Sequence, residues 1–226
     1  MRYAGMRTAE LFCGTKSFSK VAEAGGASVW TLDLDPAFAP DVAADVRELD
    51  PVLLPRPLDV LWASPPCTAF SVASIGAQWT GGRRAYVPKS EGAREGLDVL
   101  SRTIDIVASS GARLWFIENP RGVMRKVIDR EFAKAGVWNY ARRTITYCAY
   151  GDVRMKPTDV WTNCLSWVPR PACRNGDPCH EAAPRGARTG TQGIKGSRDR
   201  AVVPEVLCTE VLDACAAEFA GMRGTE

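Results

Sequence analysis

Two side chains in this sequence are of the kinds that perform covalent and proton-transfer chemistry, and each sits where an apolar run breaks off. Residues 61–70 read LWASPPCTAF: an apolar stretch stops at Pro65 and Pro66 and then presents Cys67. A structural cysteine prefers the packed part of a strand, where it behaves as a small hydrophobe. A thiol held at the rim by rigid prolines is instead placed for contact with something else. Cysteine is intrinsically nucleophilic and leaves readily, although only a small fraction is ionised at neutral pH unless its pKa is lowered. The second side chain is Glu118, which follows the apolar run LWFI (114–117) and precedes Asn119 and Pro120. A carboxyl half-buried beside Trp115 and Phe116 holds its proton more tightly than a free one, which suits a proton donor. If the two strands are neighbours, both groups reach one pocket. The plain alternatives are a packed thiol and an exposed strand-end acid.

A ligand cradle is legible nearer the start. Residues 10–17 read ELFCGTKS, a strand followed by a tight turn with a glycine and then a helix N-terminus. Phe12, Gly14, Thr15, Lys16 and Ser17 therefore form a polar turn able to hold a ligand. One glycine is too few for the dinucleotide fingerprint, and a purely structural turn would read the same way. The next strand ends in Asp33, Leu34 and Asp35, and an acid at that strand end is the usual clamp for ribose hydroxyls. Asp45, followed by Val46, comes after a third strand, where a carboxylate can accept a hydrogen bond from an adenine amino group. Three consecutive strand ends bearing polar ligands fit one nucleoside.

The elements that must position these groups alternate in type. Residues 8–13, 28–34, 58–64, 114–117, 144–150 and 159–162 read as strands. Residues 16–24, the face carrying Leu97, Leu100, Ile104 and Val107, and residues 123–135 and 206–219 read as helices. Short, continuously apolar runs such as 114–117 are those of strands covered on both faces. The alternation predicts an α/β fold, a mostly parallel doubly wound sheet with its site at the carboxyl ends of the strands. Segments 68–91 and 164–200 refuse the pattern, and structureless loops that long are usually functional. There are no internal repeats.

The 226 residues support one domain with at most a small appendage, and 46% apolar with 24% charged residues is an ordinary globular composition. No run of eighteen apolar residues occurs and the start, MRYAGMRTAELF, has no signal-peptide core, so a cytoplasmic protein with reduced thiols is expected despite eight cysteines. The net charge of +3 is less informative than its distribution: residues 170–200 carry seven basic and three acidic side chains, whereas the tail after Val203 is acidic. A basic, irregular segment fits a phosphate-facing surface or a solvated loop. That segment also gathers Cys164, Cys173, Cys179 and His180, the single histidine, amid prolines and glycines. Four soft ligands so placed suggest a structural zinc knuckle that orders a coreless loop; free thiols with a surface histidine are the alternative.

Taken in order, these motifs resemble the cytosine-C5 DNA methyltransferase family, closest to its short, phage-type members. ELFCGTKSFS (10–19) resembles the first motif, Asp33 the ribose-binding acid, Asp45 the adenine-contacting acid, Pro65-Pro66-Cys67 the Pro-Cys nucleophile motif and Glu118-Asn119-Pro120 the Glu-Asn-Val motif. Residues 150–158 are similar to a degraded Gln/Arg-rich motif, and RAVVPEVL (200–207) to the C-terminal one. Lys16-Ser17 stands where two glycines are common. The resemblance implies a Rossmann-like class I methyltransferase core (1–163), a reduced target-recognition insert with a candidate zinc knuckle (164–200), and a C-terminal helix packing back (201–226). It implies S-adenosyl-L-methionine as cofactor, held by Phe12, Gly14, Thr15, Lys16, Ser17, Asp33, Leu34, Asp45, Val46 and Pro65. It makes Cys67 the nucleophile, Glu118 the acid at ring nitrogen 3, and Arg154 or Lys156 the cation at the cytosine O2. The partner implied is DNA, its target base flipped out. The segment 68–91 would close behind that base, with Ser71, Arg83 and Arg84 toward the strand, and Arg170, Arg174, Arg185, Arg188, Lys195 and Arg198 would supply backbone affinity. Arg83 and Arg84 read equally as a solvated face. Free dCMP or RNA as substrate, and a non-catalytic DNA-binding relative, are the rival readings.

Overall fold

The computed structural model describes residues 1–182 and 196–223. In chain order the elements are β1 (Arg7–Leu11), α1 (Ser17–Ala24), β2 (Ser28–Asp33), β3 (Val42–Ala43), β4 (Val60–Ala63), α2 (Ile75–Gln78), β5 (Trp79–Thr80), α3 (Gly82–Ala85) and β6 (Val87–Pro88). They continue with α4 (Glu91–Ser109), β7 (Leu114–Pro120), α5 (Met124–Lys134), β8 (Ala141–Thr146), β9 (Pro157–Thr162), α6 (Ser197–Ala201) and α7 (Glu205–Arg223).

Seven strands form one sheet in the order β3-β2-β1-β4-β7-β9-β8. The pairs from β3 to β7 are parallel, and β9 runs antiparallel to both its neighbours. The central strands are apolar on both faces because helices cover both faces. Alternation along each strand splits the side chains between two cores. Leu61, Ala63, Trp115 and Ile117 face α4 and α5, while Val60, Trp62, Leu114 and Phe116 face α1 and α7. On the second side Trp62 stacks between Phe18 at 5.1 Å and Phe116 at 6.0 Å. Among the described residues no helix is long and apolar enough to cross a membrane.

Two stretches differ from the sequence expectation. The strand placed at 144–150 starts earlier, at Ala141, and stops at Thr146, after which Tyr147–Tyr150 form a 3-10 turn closed by Gly151 at φ 85°. Its half-exposed first residues, ARRT, hide an edge strand behind charge, which is how exposed sheet edges are protected. Segment 68–91 is not structureless: it holds two 3-10 turns, α2, α3 and the β5–β6 ribbon. Trp79 anchors it, buried against Phe70 at 5.7 Å with its Nε1 donating to the Ala69 carbonyl at 2.7 Å.

Candidate active site

β4 and β7 lie side by side in parallel, with Ala63 opposite Ile117, so the chain leaves both strands at the same edge. Beyond β4 come the two prolines and Cys67; one residue beyond Ile117 comes Glu118. The two exits are tied together. Asn119 Nδ2 donates to the Pro65 carbonyl at 2.7 Å, and Val123 N donates to the Phe70 carbonyl at 2.8 Å. A Cβ on Gly122 would lie 2.3 Å from that same carbonyl oxygen, so glycine is what permits the approach. Cys67 opens the 3-10 turn Thr68–Phe70, its carbonyl accepting from Phe70 N at 3.0 Å.

Glu118 is buried, and its Oε1 accepts from the Tyr147 hydroxyl at 2.9 Å. Lys156 Nζ lies 4.4 Å from the centre of the Tyr147 ring and donates to the Arg200 carbonyl at 3.0 Å. Cys67 is exposed, yet desolvation by the protein packed around it and then the Glu118 carboxylate push its thiol above the ordinary range, while the Lys156 ammonium pulls it back. Burial draws Lys156 below the usual lysine range, with Glu118 opposing. Burial and Glu118 together hold the Tyr147 phenol well above 10. Thiol, carboxyl, phenol and ammonium thus form one electrostatically coupled set. Lys156 sits at φ 27°, a strained conformation of the sort that collects at functional sites.

Beside this set is a cavity of about 330 Å³ lined by Phe12, Leu34, Asp45, Val46 and Pro66, within the size range of small-ligand sites. The turn at its edge uses left-handed residues, Phe12 at φ 59°, Gly14 at φ 45° and Lys16 at φ 57°. Asp33 locks it: Oδ2 accepts from Gly14 N at 2.8 Å and Oδ1 from Asp35 N at 2.9 Å. Asp45 accepts from the Arg47 amide at 2.8 Å and from its guanidinium at 2.6 Å, which holds its carboxyl below the usual range. Arg47 also reaches Glu95 at 3.3 Å.

No protein-family model matches the chain. A frog virus 3 (isolate Goorha) protein named "Probable DNA (cytosine-5)-methyltransferase" is 33% identical over 226 residues, covering 93% of this chain and 100% of that one. The chain belongs to the DNA (cytosine-5)-methyltransferase family. Its fold is shared by an E. coli prophage-encoded protein named "putative DNA modification methyltransferase", with a TM-score of 0.51 and 15% identity over 70% of this chain and 46% of that chain. The Spodoptera frugiperda DNMT2 structure aligns with a TM-score of 0.47 and 14% identity, over 72% of this chain and 52% of that chain.

For a cytosine-5 methyltransferase chain, the structure rearranges several expected roles. Arg154 is not available to a substrate oxygen: its buried guanidinium is spent on the Asp152 carboxylate and on the carbonyls of Asp199, Arg200 and Val202, each at 3.1 Å. Of the two candidate cations, only Lys156 is coupled to Cys67 and Glu118. Pro66 rather than Pro65 lines the cavity, because the Pro65 carbonyl is turned to Asn119. Lys16 points away from the turn and donates to the Ala39 carbonyl at 2.6 Å. Thr15 and Ser17 line a second cleft with Val203 and Pro204, where Val203 N donates to Ser17 Oγ at 3.2 Å.

Among the described residues, Cys164 lies outside the group of converging soft donors. It is buried at the end of β9 against α7, within 3.3 Å of Glu218 Oε2 and 3.5 Å of Ser166 Oγ. The donors that converge with Cys173, Cys179 and His180 include Cys148 instead. Linear proximity had favoured Cys164, whereas the 3-10 turn after β8 is what carries Cys148 to the insert.

Ser71 lies half-buried four residues past Cys67, and Arg174 is exposed on the insert, its amide donating to Asp177 at 2.6 Å. The side chains of Arg83 and Arg84, and all of Arg185, Arg188 and Lys195, lie outside the described residues. Arg170 is pinned to Glu210 at 2.7 Å and to the Ala149 carbonyl at 2.9 Å. Sequence reasoning missed the wall of the cavity supplied by α4. Its signal was Gly92 and Gly96, four apart and so on one helix face. A Cβ on Gly96 would meet Ala69 at 2.5 Å, so small residues here set the cavity floor.

Proposed function

We propose that this protein transfers a methyl group to carbon 5 of cytosine in DNA through a covalent Cys67 adduct. The observation that carries the reading is a thiol just past β4 and a buried carboxyl on the adjacent parallel strand β7, joined through Asn119 and opening beside a nucleoside-sized cavity. Carbon 5 of cytosine is a poor nucleophile because the ring is aromatic. Cys67 Sγ adds to carbon 6, and as the ring electrons move toward nitrogen 3, Glu118 delivers a proton there. Carbon 5 then has enamine character and takes up the methyl group, and the nitrogen-3 proton returns to Glu118. Once water removes the carbon-5 proton, the electrons of that C–H bond restore the ring double bond as the C–S bond breaks, and the thiolate returns. Lys156, coupled to both groups, faces the cytosine O2 in this reading and stabilises the thiolate on either side of the reaction.

S-adenosyl-L-methionine fits the residues present, since Phe12, Leu34 and Val46 offer an apolar slot lined also by Asp45, with Asp33 locking the adjoining turn, and when bound it supplies the methyl group from a sulfonium centre. A duplex base cannot reach Cys67 while stacked, so the target is flipped out, and segment 68–91 closes behind it. The basic insert 164–200 then contacts the strand, and the core 1–163 with the C-terminal helix carries the chemistry.

The test offers duplex DNA, dCMP and tRNA separately with a methyl-labelled cofactor. Label incorporated at cytosine in duplex DNA, with a stable adduct on 5-fluorocytosine duplex that Cys67→Ala abolishes, is the expected result. Label on dCMP or tRNA alone would move the substrate, and undiminished transfer by Cys67→Ala would remove the nucleophile.

A further inference from the structure

We propose that Cys148, Cys173, Cys179 and His180 form a structural zinc site that fastens the insert to the wall of the catalytic pocket. The ligand atoms of these residues all lie within 4.8 Å of one another. Three thiols and an imidazole are a set that zinc holds in closed, four-coordinate structural sites. Three of the four short spacings match that geometry. Zinc–sulfur bonds of about 2.3 Å in a tetrahedron put sulfurs about 3.8 Å apart, and imidazole nitrogen somewhat closer. Cys179 Sγ lies 3.6 Å from Cys148 Sγ and 3.6 Å from His180 Nδ1, and Cys173 Sγ lies 3.6 Å from the same nitrogen. Cys148 and Cys173, at 2.8 Å, form the edge that must lengthen when the ion is held.

The chain around the cluster explains why an ion is needed there. Residues 164–182 contain no helix or strand, and apart from Cys164 and Trp167 they contribute little to the core. The backbone amides nearest the cluster are anchored from Cys173 N to Thr146 Oγ1 at 3.0 Å, from Arg170 N to Tyr150 Oη at 3.0 Å and from Glu181 N to the Val153 carbonyl at 2.9 Å. All of these run along 146–153, the same turn that supplies Cys148. A segment without its own core gains order from metal ligation. Cys148 directly follows Tyr147, whose hydroxyl holds Glu118, so the ion ties the insert to the support of the proposed acid. The site stands on the ligand geometry alone and does not depend on the methyl-transfer reading.

The test is metal analysis of the full chain purified without added metal, followed by back-titration with zinc and with cobalt. One zinc per chain is expected, with more than tenfold weaker retention in Cys148→Ser and Cys173→Ser and full retention in Cys164→Ser. The cobalt form should show the intense visible bands of a tetrahedral site with thiolate charge transfer, a readout that needs no variant to fold. Chelation should expose 164–182 to limited proteolysis while the helical circular dichroism is retained. A folded wild-type chain that neither carries nor takes up zinc overturns the proposal. So does a mass two hydrogens lighter that locates a Cys148–Cys173 disulfide, or zinc lost in Cys164→Ser and kept in Cys148→Ser.

Discussion

The two halves of the strand-end surface handle charge in opposite ways. On the cofactor side, at β1, β2 and β3, each carboxylate is met by local amides: Asp33 by Gly14 and Asp35, Asp35 by Ala37, Asp45 by Arg47. Such acids cap their own turns and fix the chain before any ligand arrives. On the proposed catalytic side, around β4, β7, β8 and β9, the Glu118 carboxylate raises the Cys67 thiol and the Tyr147 phenol and opposes the lowering of the Lys156 ammonium. Asn119 Oδ1 adds a buried oxygen with no hydrogen-bond partner among the described residues. A binding surface is served by satisfied groups that stay still. A reacting surface needs groups whose proton affinities can still move.

The largest separation of the halves is expected from Glu118→Gln. Turnover should fall by about three orders of magnitude with cofactor affinity unchanged, the pattern of a group used during reaction. A loss under tenfold would erase the contrast. Glu10 marks its limit, since it lies under the cofactor turn yet is buried, and burial raises its carboxyl to about 7 despite the Ser19 amide at 2.9 Å. An acid raised in the fold favours folding while protonated, so its contribution is intact below about 4.5 and is lost as pH climbs to about 7. Urea unfolding at pH 5 and pH 8 should differ by about 3 kcal/mol from this group, and Glu10→Gln should remove that part of the slope.

Asp33→Ala should weaken cofactor binding about tenfold, near 1.4 kcal/mol, measured by calorimetry, while leaving the rate of Cys67 alkylation in the free protein alone. The smallest expected effect is also the sharpest in sign. Because Glu118 raises the Cys67 pKa and Lys156 lowers it, iodoacetamide should label Glu118→Gln a few-fold faster and Lys156→Met a few-fold slower at pH 8. In the wild type the rate should keep climbing past pH 9. Changes of the same sign in both variants would mean that the three groups are not coupled.

The sequence by itself determined the apolar runs of the central strands, the placing of Cys67 and Glu118 at the ends of two such runs, and the acid-bearing turns, because each is written locally; the pairing of those two strands is a tertiary outcome. A fully covered strand needs a continuous apolar run, and a turn needs its glycine or its capping acid within a few residues. Only the tertiary structure decided that Arg154 is consumed by Asp152 and the carbonyls ahead of α7, that α4 walls the cavity, and that Cys148 displaces Cys164 from the soft-ligand cluster. Those outcomes depend on segments tens of residues apart meeting in space. A cysteine in an apolar run looks the same in sequence whether its sulfur faces a helix or three other soft donors.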